Sequence, residues 1–243
     1  MGKKTPVDEA FFDSWSVSMA YVLGYLYADG NMQYSQNIRG KYVRVLSTDR
    51  DRIALIRDLM KSQHTIRVED RSENRKLAYC LSIGSHALYD ALIEIGMTPA
   101  KSLTMVLPHI PLFYFPAFVL GYFDGDGCVC IERAPNGNPK RLLSIFTSGS
   151  RAFLSSMHER LVHEAGVTGK GLFAHGSSKG TYQLRYGARD SIRLFKLMYS
   201  TPELVGLALE RKYGIFTKYF NIRGLRLKDL DSELERKGPM VKR

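Results

Sequence analysis

Two aspartates, Asp29 and Asp126, stand where a bound metal ion would be chemically useful. Each ends an apolar segment that is predicted to be a helix, and each is followed by a glycine expected to stop that helix in the left-handed conformation. A carboxylate there faces the negative end of the helix dipole, at a cost of roughly 0.3 to 1 kcal/mol. A bound cation would reverse the sign of that cost, so we expect both aspartates to be metal ligands.

The two aspartates belong to two copies of one sequence pattern. Residues 22–30 are VLGYLYADG and residues 119–127 are VLGYFDGDG, about half a chain apart. Each copy has two small residues four positions apart, which gives each helix a face of very small side chains. Such a face is usually typical of tightly packed core helices. If the two faces pack together, however, the two carboxylates arrive side by side and repel unless they share a proton or a metal.

A hard-oxygen site of this kind suits Mg²⁺, which keeps some of its water ligands. Phosphodiester hydrolysis uses such ions to activate the attacking water and to stabilise the leaving oxygen. The motif residues that would do this chemistry must be positioned by the elements around them.

The elements predicted after each motif follow the same order: hairpin, helix, hairpin, helix. In the first half, strands are predicted at 31–35, 41–47, 64–70 and 77–84, with helices around 53–60 and 87–95. In the second half, strands are predicted near 128–134, 141–147, 170–176 and 181–187, with helices near 151–165 and 189–199. A last helix is expected near 203–219. We therefore predict an N-terminal repeat over 1–96, a linker over 97–116, a C-terminal repeat over 117–221 and a basic, mobile tail over 222–243.

The charge of the chain favours a polyanionic partner. Lysine and arginine number 35 against 24 acidic residues, which gives a formal net charge of +11 and a pI near 9.5. Each phosphate that a cation neutralises releases condensed counterions, so nucleic acid is the first candidate. Composition alone leaves a merely soluble basic protein equally open.

Cysteine usage and apolar patterning exclude several other classes. The three cysteines, Cys80, Cys128 and Cys130, contain no CxxC pair and indicate neither a disulfide framework nor a zinc ribbon. We expect an intracellular, reducing compartment: bacterial cytoplasm, organelle or nucleus. Neither a signal peptide nor an apolar stretch long enough to span a bilayer is recognisable, so no membrane partner is expected.

The two motifs resemble those of the single-chain LAGLIDADG homing endonucleases, and the resemblance extends from about residue 16 to 221. It implies an α+β fold of two pseudo-symmetric αββαββα repeats. Their two antiparallel sheets would form a saddle over DNA, with the motif helices packed at the interface. It also implies a monomeric, metal-dependent DNA endonuclease that makes a site-specific double-strand break at a long site, as in intron or mobile-element homing.

The resemblance assigns roles to particular residues. Asp29 and Asp126 match the family's metal ligands, and the carbonyls of Ala28 and Gly125 would help to hold the ions. Mg²⁺ is the expected cofactor, although Mn²⁺ or Ca²⁺ would fit the same ligands.

The family also has a basic residue near each active centre. The matching positions here are Lys101 and Lys212, which we expect to polarise the nucleophilic water or the scissile phosphate. Asp124 fills the earlier acidic position of the second motif, where the first motif has Tyr27. That position is not a metal ligand in the family.

Alternation along the strands predicts which side chains contact the DNA, since residues two apart share a face and a two-stranded ribbon fits the major groove. In the first half, the candidates are Gln33, Ser35, Asn37, Arg39, Lys41, Arg44, Arg67, Glu69, Arg71, Arg75 and Lys76. In the second half, they are Cys130, Glu132, Arg133, Lys140, Arg141, His175, Lys179, Gln183 and Arg185. The register of the strand that holds Lys41 and Arg44 stays open. The strand after Asp126 is less polar than its counterpart, which makes it the weaker case.

Two alternatives use the same fold without DNA cleavage. One is an RNA maturase that binds its own intron RNA, and the other is a non-cleaving DNA-binding protein. Loss of either motif aspartate would favour them, and both aspartates are present. Some family members are described as doing both jobs.

Overall fold

The computed structural model describes residues 4–37, 40–70, 77–169, 171–174 and 180–235. The chain forms two compact units, Met1–Gly125 and Asp126–Arg243. Most of the second motif helix therefore belongs to the first unit.

The first unit contains the first motif helix, a four-stranded sheet and the start of the second motif helix. Its elements are α1 (Val17–Asp29), β1 (Gly30–Ser35), β2 (Gly40–Ser47), α2 (Arg50–Leu59), β3 (Arg67–Glu69), β4 (Ala78–Gly84), α3 (His86–Ile95) and α4 (Phe115–Asp126). Two 3₁₀ turns, Lys101–Leu103 and Leu112–Tyr114, lie between α3 and α4.

The second unit repeats this order after the end of α4. Its elements are β5 (Gly127–Arg133), β6 (Pro139–Ser148), α5 (Arg151–Ala165), β7 (Leu172–Ala174), β8 (Tyr182–Tyr186), α6 (Ala188–Met198), α7 (Pro202–Leu207), α8 (Glu210–Arg223) and α9 (Leu230–Glu235). The predicted αββαββα order is confirmed in both halves.

Both sheets are antiparallel and have the same topology. The strand order is β1-β2-β4-β3 in the first sheet and β5-β6-β8-β7 in the second. In each sheet, one face packs on helices of its own unit: α2 and α3 in the first, and α5, α6 and α8 in the second. Along β6, buried and half-buried residues alternate, as expected when one sheet face forms the core.

The predicted packing of the motif helices is confirmed. A Cβ atom built on Gly24 would lie 2.1 Å from the carbonyl oxygen of Phe118, and one on Gly121 would lie 2.0 Å from that of Tyr21. No side chain fits at such distances, so the backbones of α1 and α4 are in direct contact. One step further along, a Cβ on Gly125 would lie 2.4 Å from the Cβ of Ala28.

The end of α1 differs from the prediction. Gly30 has φ −80° and ψ 151°, which is extended backbone, and Gly127 also lacks a positive φ. Each helix therefore passes directly into its strand, with no left-handed residue between them. Glycine is needed at position 30 for a steric reason, because a Cβ there would lie 2.5 Å from the carbonyl oxygen of Leu26.

The C-terminal region also differs from the prediction. The last predicted helix is two helices, α7 and α8, because the chain is extended at Ala208 and Leu209. Part of the predicted mobile tail is helical, since α9 continues to Glu235 and Leu230 is only 2% exposed. In the described part of the chain, none of the helices has the length and apolar character needed to cross a bilayer.

Candidate functional site

Asp29 is the last residue of α1 and is half-buried at the edge of a cavity of about 390 Å³. The cavity is lined by Ala28, Asp29, Gly30, Asn31, Arg44, Leu46, Glu69, Cys80, Lys101 and Ser102. Most of these residues are polar or charged, and they come from α1, all four strands of the first sheet and the segment after α3. A small, hydrated ligand or ion could therefore enter beside the Asp29 carboxylate.

Lys101 reaches this cavity from the 3₁₀ turn that follows α3. Its side chain is buried, with 5% exposure, and its Nζ donates a hydrogen bond of 3.3 Å to the carbonyl oxygen of Ala28. Ala100, just before it, has a positive φ of 55°, an uncommon conformation for a residue with a side chain. This bend turns the chain as it enters the segment that carries the lysine.

Asp126 ends α4 and is exposed. In the second unit, Lys212 on α8 is 3% exposed, and its Nζ donates a hydrogen bond of 2.6 Å to the carbonyl oxygen of Gly127. The helix α8 packs against β5, the strand that leaves Asp126. The ammonium group of Lys212 is thus bonded to the residue that follows the motif aspartate.

Both motif helices therefore end at an aspartate with a buried lysine bonded to a nearby backbone carbonyl. A cation at a helix C-terminus interacts favourably with the dipole and satisfies a carbonyl that has no partner within the helix. A buried ammonium group is otherwise costly, so these positions are demanding ones for a lysine. The structure brings both predicted lysines to the motif ends, while their catalytic role stays a prediction.

The ends of the motif helices contain oxygen ligands of the kind that a hard cation prefers. The side chains of Asp29 and Asp126 are carboxylates, and the residues before them, Ala28 and Gly125, contribute backbone carbonyls, which are the oxygen ligands that such a cation prefers. A Cβ on Gly125 would lie 3.4 Å from Oδ2 of Asp29, so glycine leaves that carboxylate room. Among the described residues, no group of three or more His, Cys, Asp and Glu side chains could hold a metal ion, so any ion here depends on carbonyl and water oxygens.

A buried polar cluster of Tyr21, Arg52 and Asp124 lies between α1, α2 and α4. Tyr21 donates a hydrogen bond of 2.9 Å to Oδ2 of Asp124 and accepts one of 2.6 Å from Nη1 of Arg52. The guanidinium also lies 3.8 Å from the Asp124 carboxylate, and both side chains are almost fully buried. Burial, followed by the charge of Asp124, raises the pKa of Tyr21 well above its ordinary value, so its hydroxyl stays a donor.

Sequence reasoning missed this cluster. The one available signal was an acidic residue, Asp124, inside an otherwise apolar helix, since its partners come from distant parts of the chain. The cluster also extends toward Asp29 through Tyr25. Burial, followed by the charge of Asp29, raises the pKa of Tyr25. A hydrogen bond with Ser47 and the charge of Arg52 act in the opposite direction.

The register of the first sheet places several of the predicted polar residues on its outer face. Arg44 pairs with Asn31, so it shares a face with Gln33 and Ser35. Arg44 also donates a 2.7 Å hydrogen bond to Glu69. Arg67 pairs with Cys80 on this same face, and Asn37 is exposed in the turn after β1.

Lys41 lies on the opposite face of this sheet, and its prediction as a DNA contact is corrected. Its partner in the register is Tyr34, which alternates with the outward residues of β1. Its ammonium group pairs with Asp90 on α3 and lies 5.4 Å from the ring centre of Tyr89. The lysine therefore helps to attach α3 to the sheet.

The outer face of the second sheet holds the remaining candidates. The register aligns Cys130, Glu132, Arg141, Gln183 and Arg185 on this face, and Arg141 forms an ion pair with Glu132. Beside the turn from β5 to β6, Arg133 donates a 2.8 Å hydrogen bond to the carbonyl of Gly137, and Lys140 is exposed. Six other predicted contacts lie outside the described residues: Arg39, Arg71, Arg75, Lys76, His175 and Lys179.

Comparison with known proteins is informative at the level of structure. No protein-family model and no curated protein matches the sequence. Many solved structures match its structure, and three homing endonucleases are among them. I-GzeII, a LAGLIDADG homing endonuclease in complex with its DNA target, has a TM-score of 0.59 at 11% identity, covering 90% of this chain and 92% of its own. I-WcaI, bound to its DNA recognition sequence, has a TM-score of 0.58 at 12% identity, covering 83% and 91%. Mesophilic variants of I-DmoI have a TM-score of 0.52 at 18% identity, covering 79% and 98%.

These matches define the class of fold. The chain has the mixed helix and sheet fold of the LAGLIDADG homing endonucleases, and its structure resembles these enzymes over most of its length. At these identities the likeness concerns the fold, and the chemistry must be argued from the residues.

Proposed function

We propose that this chain is a site-specific DNA endonuclease of the LAGLIDADG homing type, which makes a metal-dependent double-strand break at a long recognition site. One observation carries the proposal. Two motif helices in backbone contact each end at an aspartate, and each end has a buried lysine, Lys101 or Lys212, bonded to a carbonyl. A merely structural helix pair needs neither the aspartates nor the buried lysines.

The carboxylates of Asp29 and Asp126 would bind divalent cations, helped by the carbonyls of Ala28 and Gly125. When bound, the ions supply an activated water and neutralise charge on the phosphate. Mg²⁺ is the proposed cofactor. A variant of I-DmoI has been solved with its target DNA in the presence of Mn, and I-DmoI has been solved in complex with DNA and Ca, which supports the proposal of a divalent cation.

The lysines act beside these carboxylates. Lys101 is oriented by the Ala28 carbonyl, and Lys212 by that of Gly127. An ammonium group held in place stabilises negative charge that develops on a phosphate, and it can orient the attacking water through a hydrogen bond. Burial keeps both side chains in one arrangement before substrate arrives, so no reorganisation is needed at reaction.

The substrate is proposed to be double-stranded DNA, contacted by the outer faces of the two sheets. Asn31, Gln33 and Arg44 are the side-chain types that read base edges in the major groove, and the net charge of +11 favours phosphate contacts. Because both motifs lie in one chain, a monomer carries both aspartates. Intron homing, binding of the intron RNA and a reducing intracellular compartment are further parts of this proposal.

The deciding experiment starts from a randomised double-stranded DNA library. Sequences that the purified protein binds are enriched, and the enriched pool is then incubated with Mg²⁺. Wild type should cleave both strands at one position, whereas Asp29→Asn and Asp126→Asn should bind the same DNA without cutting both strands. The matched control is Asp231→Asn, because Asp231 is an exposed carboxylate in a surface ion pair with Lys196.

Each result has a definite meaning. Cleavage by Asp29→Asn at the wild-type rate would remove that residue from the proposed chemistry, and the same holds for Asp126→Asn. Specific binding without cleavage by wild type would support a DNA-binding protein instead. Binding of structured RNA in preference to every DNA would support a maturase.

A further inference from the structure

The outer faces of the two sheets carry side chains of different chemistry, although their strands pair at equivalent positions. In the second sheet, four side chains form a contiguous group that we call the apolar patch, composed of Cys128, Cys130, Leu143 and Ile145. Cys128 pairs with Ile145 and Cys130 pairs with Leu143, so all four lie on the outer face of β5 and β6.

The corresponding positions of the first sheet are polar. Each sheet begins at the glycine after its motif aspartate, and Asn31 pairs with Arg44 as Cys128 pairs with Ile145. In the next pair, Gln33 and Tyr42 stand where the second sheet has Cys130 and Leu143. The apolar patch thus occupies the positions that hold two side-chain amides, a phenol and a guanidinium in the first sheet.

The apolar patch does not belong to the core of the second unit. The alternate residues of the same strands, Val129, Leu142 and Phe146, are buried on the core face. Cys128 is exposed, and the other three members of the patch are half-buried. Contiguous apolar surface that stays open to solvent is typical of a binding site.

The surroundings of the apolar patch indicate what binds there. Arg185 pairs with Ile145 in the register, and Arg141 comes two positions before Leu143 on the same face, so guanidinium groups flank the patch at two edges. The strand β5 that carries its cysteines leaves Asp126 directly. Cations next to apolar groups, on strands beside the one that leaves the proposed metal ligand Asp126, fit the major groove of DNA. Arg141 pairs with Glu132, whereas Arg185 donates a hydrogen bond to the neutral amide of Gln183, and a DNA phosphate near Ile145 would supply a negative charge to that guanidinium.

In the major groove, the C5-methyl of thymine is the one apolar group on the base edges, and apolar side chains contact it. We infer that the second half of this protein selects thymine methyl groups through the apolar patch, while the first half reads donors and acceptors through polar side chains. The inference rests on the proposed function and adds the chemistry of base selection to it.

The test uses the bound DNA sequence obtained by the selection described above. Each thymine is replaced in turn by deoxyuridine, which removes the methyl and leaves the pairing edge unchanged. Equilibrium binding is measured in EDTA, where the DNA stays intact. Loss of one buried methyl contact should weaken binding about fourfold. We expect this at a cluster of positions within one half of the site.

Variants then connect that cluster to the apolar patch. In Ile145→Ala and Leu143→Ala, the penalty for deoxyuridine at the affected positions should fall toward onefold, because the methyl no longer has a contact to lose. Ile145→Val keeps a branched strand residue and should retain part of the penalty, which guards against loss of folding in the alanine variants. The matched control is Gln33→Ala in the first sheet, which should leave every deoxyuridine penalty as in wild type.

Two results would overturn the inference while leaving the proposed function intact. One is site-specific cleavage with no position sensitive to deoxyuridine. The other is a deoxyuridine penalty that is the same in wild type, Ile145→Ala and Leu143→Ala. Failure to enrich any DNA would instead overturn the proposed function and this inference together. The assignment would be established if deoxyuridine weakened binding of the wild-type protein at a cluster of positions and did not do so for the two alanine variants.

Discussion

The hydroxyl of Tyr21 on the first motif helix donates a 2.9 Å hydrogen bond to the carboxylate of Asp124 on the second. Asp124 lies two residues before the proposed metal ligand Asp126, and Tyr21 is bonded in turn to Arg52 on α2. The contact therefore fixes the rotation of α4 against α1 at the last turn before the proposed site. The first motif has Tyr27 at the equivalent position, where its ring packs edge-on against Phe118.

Breaking the buried cluster should destabilise the protein strongly. Asp124→Ala removes the carboxylate that lies 3.8 Å from the buried Arg52 guanidinium, and we expect a loss of about 3 to 5 kcal/mol in the free energy of unfolding. Tyr21→Phe removes one hydroxyl, and the expected loss is about 1 to 3 kcal/mol. Urea unfolding measures both. The matched control is Asp231→Ala, which breaks a surface ion pair and should cost at most about 1 kcal/mol. Equal losses for Asp124→Ala and Asp231→Ala would show that the cluster does not carry this stability.

Adding one methyl group at the motif helices should prevent their packing. Gly24→Ala and Gly121→Ala each put a Cβ about 2 Å from a backbone carbonyl oxygen of the other helix, which neither backbone can accommodate without moving. We expect a loss of at least about 3 kcal/mol, as for other severe overpacking, measured by thermal and urea unfolding. Gly214→Ala on α8 is the control, since nothing lies within 4 Å of its added Cβ, and it should stabilise the protein by roughly 0.5 to 1 kcal/mol. If the unfolding midpoint of Gly24→Ala equalled that of the wild-type protein, the observed contact between the helix backbones would be contradicted.

Neighbouring basic residues on β2 should behave oppositely in DNA binding. Arg44→Ala removes a guanidinium from the outer face, so we expect affinity to fall and selectivity to relax at one base pair, by about 1 to 3 kcal/mol. Lys41→Ala removes an ammonium group from the helix-facing side, where it pairs with Asp90, and DNA affinity should not change. Binding to the selected DNA and to single-base variants distinguishes the two. Equal weakening by both substitutions would mean that nonspecific charge, rather than the face of the strand, determines binding.

The buried lysines should affect the rate of cleavage more than DNA binding. Lys101→Met and Lys212→Met keep the apolar stem and remove the charge, and each should lower the single-turnover rate constant about a hundredfold or more. Affinity for uncleaved DNA should stay within a few fold, which separates a catalytic role from a structural one. Lys61→Met, at a side chain that is 79% exposed, is the control and should cleave as wild type does. A lysine variant with a wild-type rate would remove that residue from the catalytic scheme.

The sequence was sufficient for features that depend on local order and periodicity. The repeated motif, its faces of small residues and the alternation along the strands predicted the αββαββα order and the contact of the two motif helices. The aspartates could be located because a carboxylate at the C-terminal end of a helix interacts unfavourably with the helix dipole unless a cation is bound there. The lysines were found only through the resemblance to a family, since nothing local distinguishes Lys101 from a solvated surface lysine.

Other features required the tertiary structure because they depend on register and long-range packing. A shift of one residue reverses the face of a strand, so only the pairing of Tyr34 with Lys41 showed that Lys41 lies against α3. Gly30 is glycine because of a close approach to Leu26, not because of a left-handed turn.

The sequence by itself thus determined which residues carry the proposed chemistry and on which kind of element each one lies. The tertiary structure alone decided what lies next to these residues: Tyr21 and Arg52 beside Asp124, and carbonyls beside the two lysines. It also decided that the outer face of the second sheet carries an apolar patch at positions where the first sheet is polar. The physical reason is that local backbone preferences act over a few residues, whereas burial and side-chain pairing depend on segments that meet only in the folded chain.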